Sequence, residues 1–274
     1  MEKADLLPSH RVLVVGDGNF SFSQSLARAL PSTGAGACPA LIATSLDSAS
    51  ELDRKYAETA AILAALHATP GCEVLHGVDA TRLGETLPRA LREQLAAAGG
   101  LDRVVFNFPL CPPSKSREEH EQQPDPAIRN RLLLSRFLAS AVPLLGEGGE
   151  VHVTSKTCKP YNDWRIEDRA PASCGLRCAV QRPFDVARYE GFTVRNVEPL
   201  RDDKPGFPAT DATLFVFRMP GAEAAPAPGW GAHDCRLCEK KFEDALTLEQ
   251  HKQGRKHRRL HKLEERWKAA EPDL

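Results

Sequence analysis

A chain of 274 residues, 42% hydrophobic and 27% charged, is ordinary globular material, which excludes the disordered and fibrous classes. Its length suits one large α/β domain plus a small appendage, on a prior of about 150 residues per domain. The formal net charge of −1 hides an uneven distribution, because Lys, Arg and His crowd residues 233–268 behind a mildly acidic body, and this predicts a polyanion-facing tail.

No apolar run approaches the ~18 residues that a membrane helix needs, and MEKADLLPSH at the start has no apolar signal core. A soluble, intracellular protein with no membrane partner is expected. Of the eight cysteines, Cys38, Cys72, Cys111, Cys158, Cys174, Cys178, Cys235 and Cys238, only the last two fall into ligand spacing. A disulfide framework is not expected in so long a chain without a secretory signal.

In chain order, short β-branched runs alternate with helical patterns from residue 11 to about 218, the signature of βαβ units around a mainly parallel sheet. Strands are predicted at 11–17, 40–47, 72–79, 102–109, 149–156, 176–184 and 212–219. Helices are predicted at about 20–30, 48–68, 84–98, 126–145 and 162–173, the second with an apolar face in Leu52, Tyr56, Ala60, Leu63 and Leu66. The last two strands lack a convincing helix between them, so they are expected to pair antiparallel across 185–211. The polar stretch 111–127, CPPSKSREEHEQQPDPA, reads as a functional lid or a disordered loop. Residues 220–233, PGAEAAPAPGWGAH, read as a semi-flexible linker.

The first strand runs into VLVVGDGNFSFSQSLARAL, with Gly16 and Gly18 spaced G-x-G before a helical pattern. Glycine permits a tight turn and a close backbone approach, and a helix start offers free N–H groups to a polar or anionic ligand. Ser21 or Ser23 stands where a full fingerprint has its third glycine, so a tight connection without a ligand is an equal-looking alternative. Asp47 ends the second strand, where an acid accepts hydrogen bonds from ribose hydroxyls, and Asp79 ends the third. Asp79 fits an adenine-side position or a helix N-cap before TRLGE. Together the three cues on one edge specify an adenosine-containing cofactor.

The fourth strand delivers Asn107, Phe108 and Pro109 at its carboxyl end. Such a turn can offer a backbone carbonyl, an amide side chain and an aromatic face to a planar base, which suits methyl transfer to a nucleobase; a Pro-terminated strand with a capping Asn is the structural alternative. Further on, HDCRLCEKKFEDALTLEQHKQGRKHRRLH sets Cys235 and Cys238 two residues apart, His251 twelve beyond Cys238, and His257 five beyond His251. That is the C2H2 zinc pattern, with Phe242 and Leu248 as the small core between a ββ hairpin and a helix. Lys252, Arg255, Lys256, Arg258, Arg259 and Lys262 form a basic run that can face phosphates. Through the linker this finger would raise RNA affinity as a tethered anchor.

The segments GDGNFSFSQSLA, ATSLDS with ELDRKY, LHGVDAT, DRVVFNFP, NRLLLSRFLASA, GGEVHVTSKTCKPYNDW and PFD…Y…GF occur in order over roughly residues 10–218. Together they resemble the eukaryotic large-subunit rRNA (uridine-N3)-methyltransferase-like domain family. The resemblance implies a Rossmann-like class I methyltransferase with a seven-stranded sheet (residues 10–219), to which composition adds a linker (220–232) and the Cys/His spacing a small C-terminal ββα zinc finger (233–262). It implies S-adenosylmethionine as cofactor and rRNA as partner, and the finger spacing implies Zn2+; a monomer in the nucleolus, nucleus or cytoplasm is expected. Carried over by position, Gly16, Asp17, Gly18, Phe20 and Ser21 would line the methionine side of the cofactor, Asp47 its ribose and Asp79 its adenine. Asn107, Phe108 and Pro109 would face the target base, with Lys156, Tyr161 and Trp164 near the substrate. One departure is that Leu110, Cys111, Pro112 and Pro113 follow the Phe-Pro where the family usually has a histidine and glycines. Two other readings stand beside it: a catalytically silent RNA-binding adaptor on the same fold, and a nicotinamide-dependent dehydrogenase, against which the terminal hairpin and the Asn-Phe-Pro turn argue.

Overall fold

The structure is a computed structural model that describes residues 10–29, 38–111, 118, 125–195, 209–220 and 230–270. Its seven strands are β1 (Val12–Val15), β2 (Leu41–Ser45), β3 (Cys72–His76), β4 (Leu101–Asn107), β5 (Leu145–Lys156), β6 (Arg177–Pro183) and β7 (Ala212–Arg218). They form one sheet in the order β3-β2-β1-β4-β5-β7-β6. The first five run parallel, while β7 is antiparallel to both β5 and β6. The expected antiparallel pairing of the last two strands is therefore present, with β7 inserted beside β5. Part of the loop between them, 196–208, lies outside the described residues, as do 112–117, 119–124 and 221–229 of the expected lid and linker.

Side-chain alternation along each strand divides the core between two faces. Leu13, Val15, Ile42, Val104 and Phe106 pack on one side against α4 (Leu83–Thr86), α5 (Arg89–Ala97) and α6 (Pro126–Ala141) through Leu83, Leu91, Phe137 and Leu138. On the other, Val12, Val14 and Val105 meet Phe22 and Leu26 of α1 (Ser21–Ala27). Next to them Phe20 and Ala43 pack with Leu52, Tyr56, Ile62 and Leu66 around α2 (Ala49–Lys55) and α3 (Thr59–His67). Both faces being covered explains why the central strands are continuous apolar runs.

Three predicted helices differ in the structure. The 48–68 segment breaks into α2 and α3 because Tyr56 takes an extended backbone (φ −140°, ψ 109°) and packs its ring in the α2–α3 core. Pro88 divides 84–98 into α4 and α5, sitting at the entry to α5 where its missing N–H does no harm. Across 162–173 there are only short 3-10 turns, at Tyr161–Trp164, Ile166–Asp168 and Ala172–Cys174. Left-handed Arg165 (φ 49°) interrupts the first two, and Pro171 precedes the third.

The C-terminal module also departs from expectation. Its hairpin is reduced to a single bridge between Cys235 and Lys240. Its helix is two: α7 (Ala245–Gln253), capped by Asp244 accepting from the Thr247 N–H at 2.8 Å, and α8 (Arg255–Ala270). Gly254 is extended (ψ 145°) and turns the chain between them. Helix α8 runs past residue 262 and packs on α6, where Leu263 and Trp267 cluster with Ile128. Fully buried Arg131 of α6 pairs with Glu264 at 2.7 Å, and the Arg169 guanidinium lies 4.6 Å from the Trp267 ring centre. The expectation of a finger acting only as a tethered anchor is corrected: an amphipathic face of α8, invisible in a run read for its charges, docks on the large domain.

Candidate active site at the carboxyl edge of the sheet

Parallel register brings the ends of β1, β2 and β4 side by side. The Asp17 N–H donates to the Thr44 carbonyl at 3.0 Å, Val15 pairs with Phe106, and the Phe108 N–H donates to Thr154 at 2.7 Å. Asp17, Asp47, Asp79, Asn107 and Lys156 thus all follow or close strand ends on one edge.

The turn after β1 is built on left-handed backbone at Gly16 (φ +62°), Gly18 (φ +45°) and Phe20 (φ +64°). A Cβ at Gly16 would stand 2.6 Å from Cε2 of Phe106, so only glycine fits against that ring. The Asp17 carboxylate accepts from the Ser23 N–H at 2.7 Å, and burial pushes its pKa up to about 7 in spite of that bond. Phe20 buries its ring completely, edge-on to His76 at 5.6 Å, so it can serve the turn only through its backbone. The Ser21 hydroxyl donates to Asn19 at 2.8 Å and accepts from the Thr193 N–H at 3.0 Å, tying the loop after β6 to the glycine turn.

The acidic pair is engaged. Asp47 meets Lys55 at 2.6 Å. Asp79 caps the 3-10 turn Ala80–Arg82, accepting from the Thr81 N–H at 2.8 Å and its hydroxyl at 2.7 Å, which is the N-cap alternative. Ionised carboxylates have about four acceptor positions, so both retain capacity for a ligand.

Asn107 is the outlier. Both its side-chain Oδ1 and Nδ2 are buried with no hydrogen-bond partner among the described residues. An orphaned buried amide costs about 1–3 kcal/mol per unsatisfied group, and a native fold tolerates it where a ligand completes the bonds. Phe108 is left-handed (φ 50°), with its ring edge-on to Phe184 at 6.1 Å, and Pro109 is buried behind it. The departure after Pro109 has a structural account: the Cys111 N–H donates to Asn130 of α6 at 2.9 Å and its thiol to the Arg129 carbonyl at 3.4 Å. Lys156 ends β5 half-buried, opposite Ala212.

Sequence reasoning missed a network over the glycine turn. Buried Asn19 donates to Glu58 at 2.8 Å, and Glu58 pairs with Arg195, whose Cβ lies 3.9 Å from the position a Gly18 Cβ would take. Burial disfavours the Glu58 charge, but the bonds from Asn19 and Arg195 outweigh it and hold the carboxyl below its usual range. Asn19 sits inside the quoted glycine motif and was readable there; Glu58 and Arg195 lie 137 positions apart, with no sequence signal linking them.

In the C-terminal module, one ligand atom each from Cys235, Cys238, His251 and His257 lies within 4.8 Å of the others. The His257 Nδ1 is 3.4 Å from the Cys235 sulfur and 3.6 Å from that of Cys238. Those separations match tetrahedral Zn2+ with Zn–S near 2.3 Å and Zn–N near 2.0 Å. Burial and the adjacent Cys235 raise the Cys238 thiol; burial and neighbouring positive groups hold both histidines low, in the neutral form that binds metal.

The chain is similar to several known proteins. The family model described as rRNA (uridine-N3-)-methyltransferase BTM5-like matches residues 13–196, and one described as zinc-finger double-stranded RNA-binding matches residues 232–258. An Arabidopsis thaliana protein described as uncharacterized is 32% identical over 210 residues, covering 76% of this chain and 92% of that protein. The heavy metal-associated isoprenylated plant protein 41 of A. thaliana is 34% identical over 213 residues, covering 77% and 37%. The human ferredoxin-fold anticodon-binding domain-containing protein 1 is 30% identical over 193 residues, covering 66% and 27%, so this chain spans only about a third of those two relatives. Among solved structures, TrmN from Thermus thermophilus is 19% identical with a TM-score of 0.44, covering 79% of this chain and 46% of that one. By its match over residues 13–196, the chain belongs to the rRNA (uridine-N3-)-methyltransferase BTM5-like family and is an RNA methyltransferase carrying a C2H2-type zinc finger.

Proposed function

We propose that the chain methylates N3 of a uridine in large-subunit rRNA, with S-adenosylmethionine as methyl donor. The observation that carries this reading is Asn107, an unsatisfied buried amide at the end of β4 beside the glycine turn of β1. When bound, S-adenosylmethionine supplies an electrophilic sulfonium methyl. The Gly16–Gly18 turn, Asp17 and Ser21 hold the methionine end, Asp47 the ribose and Asp79 the adenine side. The Asn107 amide and the Phe108–Pro109 turn then hold the uracil edge, and Lys156 lies across the same strand ends. Uracil N3–H is weakly acidic, so the residues contribute chiefly by alignment, with the proton leaving to a hydrogen-bonded acceptor or water. Because N3 is engaged within a duplex, the target uridine is single-stranded or flipped out. The chain acts as a monomer on ribosomal precursors in the nucleolus or nucleus, or on rRNA in the cytoplasm.

A second reading, an RNA-binding adaptor without transfer activity, draws on Asp47 and Asp79 being satisfied within the protein. Calorimetry separates the two. Binding of S-adenosylmethionine that is lost in Asp47→Ala supports the enzyme, and no heat at any concentration supports the adaptor.

A further inference from the structure

Helix α8 ends up beside the active edge rather than away from it. Between α8 and the large domain lies a cleft of about 380 Å3, lined by Leu110, Tyr161 and Trp164 on one side and by Arg259, Lys262 and Arg266 on the other. Its large-domain wall continues the active site in sequence: Leu110 follows Asn107–Phe108–Pro109 directly, and Tyr161 lies five residues beyond Lys156. Arg259 is fixed in place by Asp163, and Arg266 leans on Asp125 at 3.5 Å. Lys262 is exposed and has no ion-pair or hydrogen-bond partner among the described residues. Three cations face two carboxylates, each of which already pairs with an arginine, so Lys262 leaves the cleft one positive charge in excess beside an aromatic ring. A groove of phosphate-seeking cations and a half-exposed aromatic suits a single strand of nucleic acid, whose backbone needs the first and whose bases stack on the second.

We infer that α8 forms one wall of the cleft that receives the strand carrying the target nucleotide, with Lys262 and Arg266 as positioning residues for its phosphates. This rests on the proposed RNA methylation for which nucleotide is brought in, but not for the cleft itself. The metal site enters the substrate path by the same route: His257 is a zinc ligand and lies on the helix that carries Leu263 and Trp267 into the docking interface. The finger thereby becomes a fixed part of substrate binding, and the rest of its basic run, Lys252, Arg255, Lys256 and Arg258, which does not line the cleft, is left for flanking RNA.

The test uses full-length, zinc-loaded protein and a fluorescein-labelled single-stranded oligouridine, read by anisotropy over a salt series. Lys262→Ala/Arg266→Ala should weaken binding by about tenfold or more, equivalent to ~1.4 kcal/mol. It should also shallow the log K against log salt slope by about 1.4, twice the ~0.7 expected per phosphate on a single strand. Arg255→Ala/Arg258→Ala should lose less than about threefold on the same probe, and the charge-keeping swap Lys262→Arg/Arg266→Lys should retain most of the affinity, since charge at these positions is what the phosphates meet. Equal losses from the two alanine pairs, or no loss from the cleft pair, would overturn the inference. The function is read separately: wild-type protein that holds oligouridine in the cleft yet forms no N3-methyluridine defeats the proposed reaction and leaves the wall standing.

Discussion

Arg259 of the finger's second helix grips Asp163 of the large domain with both guanidinium arms, Nη1 to Oδ2 at 2.7 Å and Nη2 to Oδ1 at 2.6 Å. The Asp163 backbone carbonyl meanwhile accepts from Arg131 through Nε at 3.0 Å and Nη2 at 2.7 Å. One residue thus joins α6, α8 and the segment after β5.

The Asp163–Arg259 pair should govern docking. Burial opposes the Asp163 charge, but the Arg259 hydrogen bonds and charge outweigh it and hold the carboxyl below its usual range. A depressed folded-state value contributes stability at pH above the ordinary aspartate value, and that contribution is lost as pH falls through the folded one. Asp163→Asn should remove this acid dependence. With Arg259 about half exposed, it should weaken docking by only ~1 kcal/mol. Hydrogen exchange of α8 between neutral and acidic pH reads this; an acid-induced loss of protection that is the same in the variant would refute the role of the pair.

Gly16→Ala should be among the most disruptive single-methyl changes in the chain. The residue sits at φ +62°, and its new Cβ would press to 2.6 Å from the Phe106 ring. Left-handed strain of ~1–2 kcal/mol and overpacking of ~1–3 kcal/mol together suggest a loss of about 3 kcal/mol. At about 2–4 °C per kcal/mol, thermal melting should fall by roughly 6–12 °C. A melting point within a degree or two of wild type would mean that the turn yields easily and is not shaped by that contact.

Asn107→Leu should separate stability from function. Replacing two unsatisfied buried polar atoms with an isosteric apolar side chain should stabilise the ligand-free protein by about 1–2 kcal/mol, because no internal hydrogen bond is lost. Methyl transfer should fall by about a hundredfold or more, as expected for loss of an orienting group, while the affinity for S-adenosylmethionine changes little. Melting curves and single-turnover rates on the same preparation decide it. A destabilised variant would show that Asn107 is bonded in the free protein.

Asp17 should make cofactor binding depend on pH near neutrality. With its pKa pushed up to about 7 by burial, the folded chain between pH 3.8 and 7 keeps a proton that the unfolded chain has lost. Ligand-free stability should therefore decline as pH rises through that window and level off above it. A cationic ligand favours the ionised carboxylate, so affinity for S-adenosylmethionine should weaken by up to about tenfold per pH unit below 7, with a proton released on binding. Calorimetry in buffers of different ionisation heat should detect that proton, and Asp17→Asn should abolish it; a profile that stays flat in the wild type would rule out ionisation at this site.

Much of the fold was readable because its strands are sandwiched. Runs such as Val12–Val15 and Leu41–Ser45 are buried throughout, and continuous apolar runs announce themselves. Helix breaks were less legible, since Tyr56 ends α2 through a tertiary preference for the core rather than through any Gly or Pro. The zinc ligands were plain from spacing, because four ligands within one short segment must meet locally. The docking of α8 was not: Leu263 and Trp267 fall among charges, and their partner Ile128 lies more than a hundred positions earlier. Asn107 was found from its place at a strand end, whereas its lack of partners became visible only once the surrounding side chains were in place.

The most direct measurement supplies full-length protein with S-adenosylmethionine bearing a deuterated methyl group and with unmodified large-subunit rRNA, then digests the RNA to nucleosides for mass spectrometry. The account predicts a deuterated N3-methyluridine that disappears with Asn107→Leu. A label found on another nucleoside, or on none while the cofactor is demonstrably bound, would contradict it.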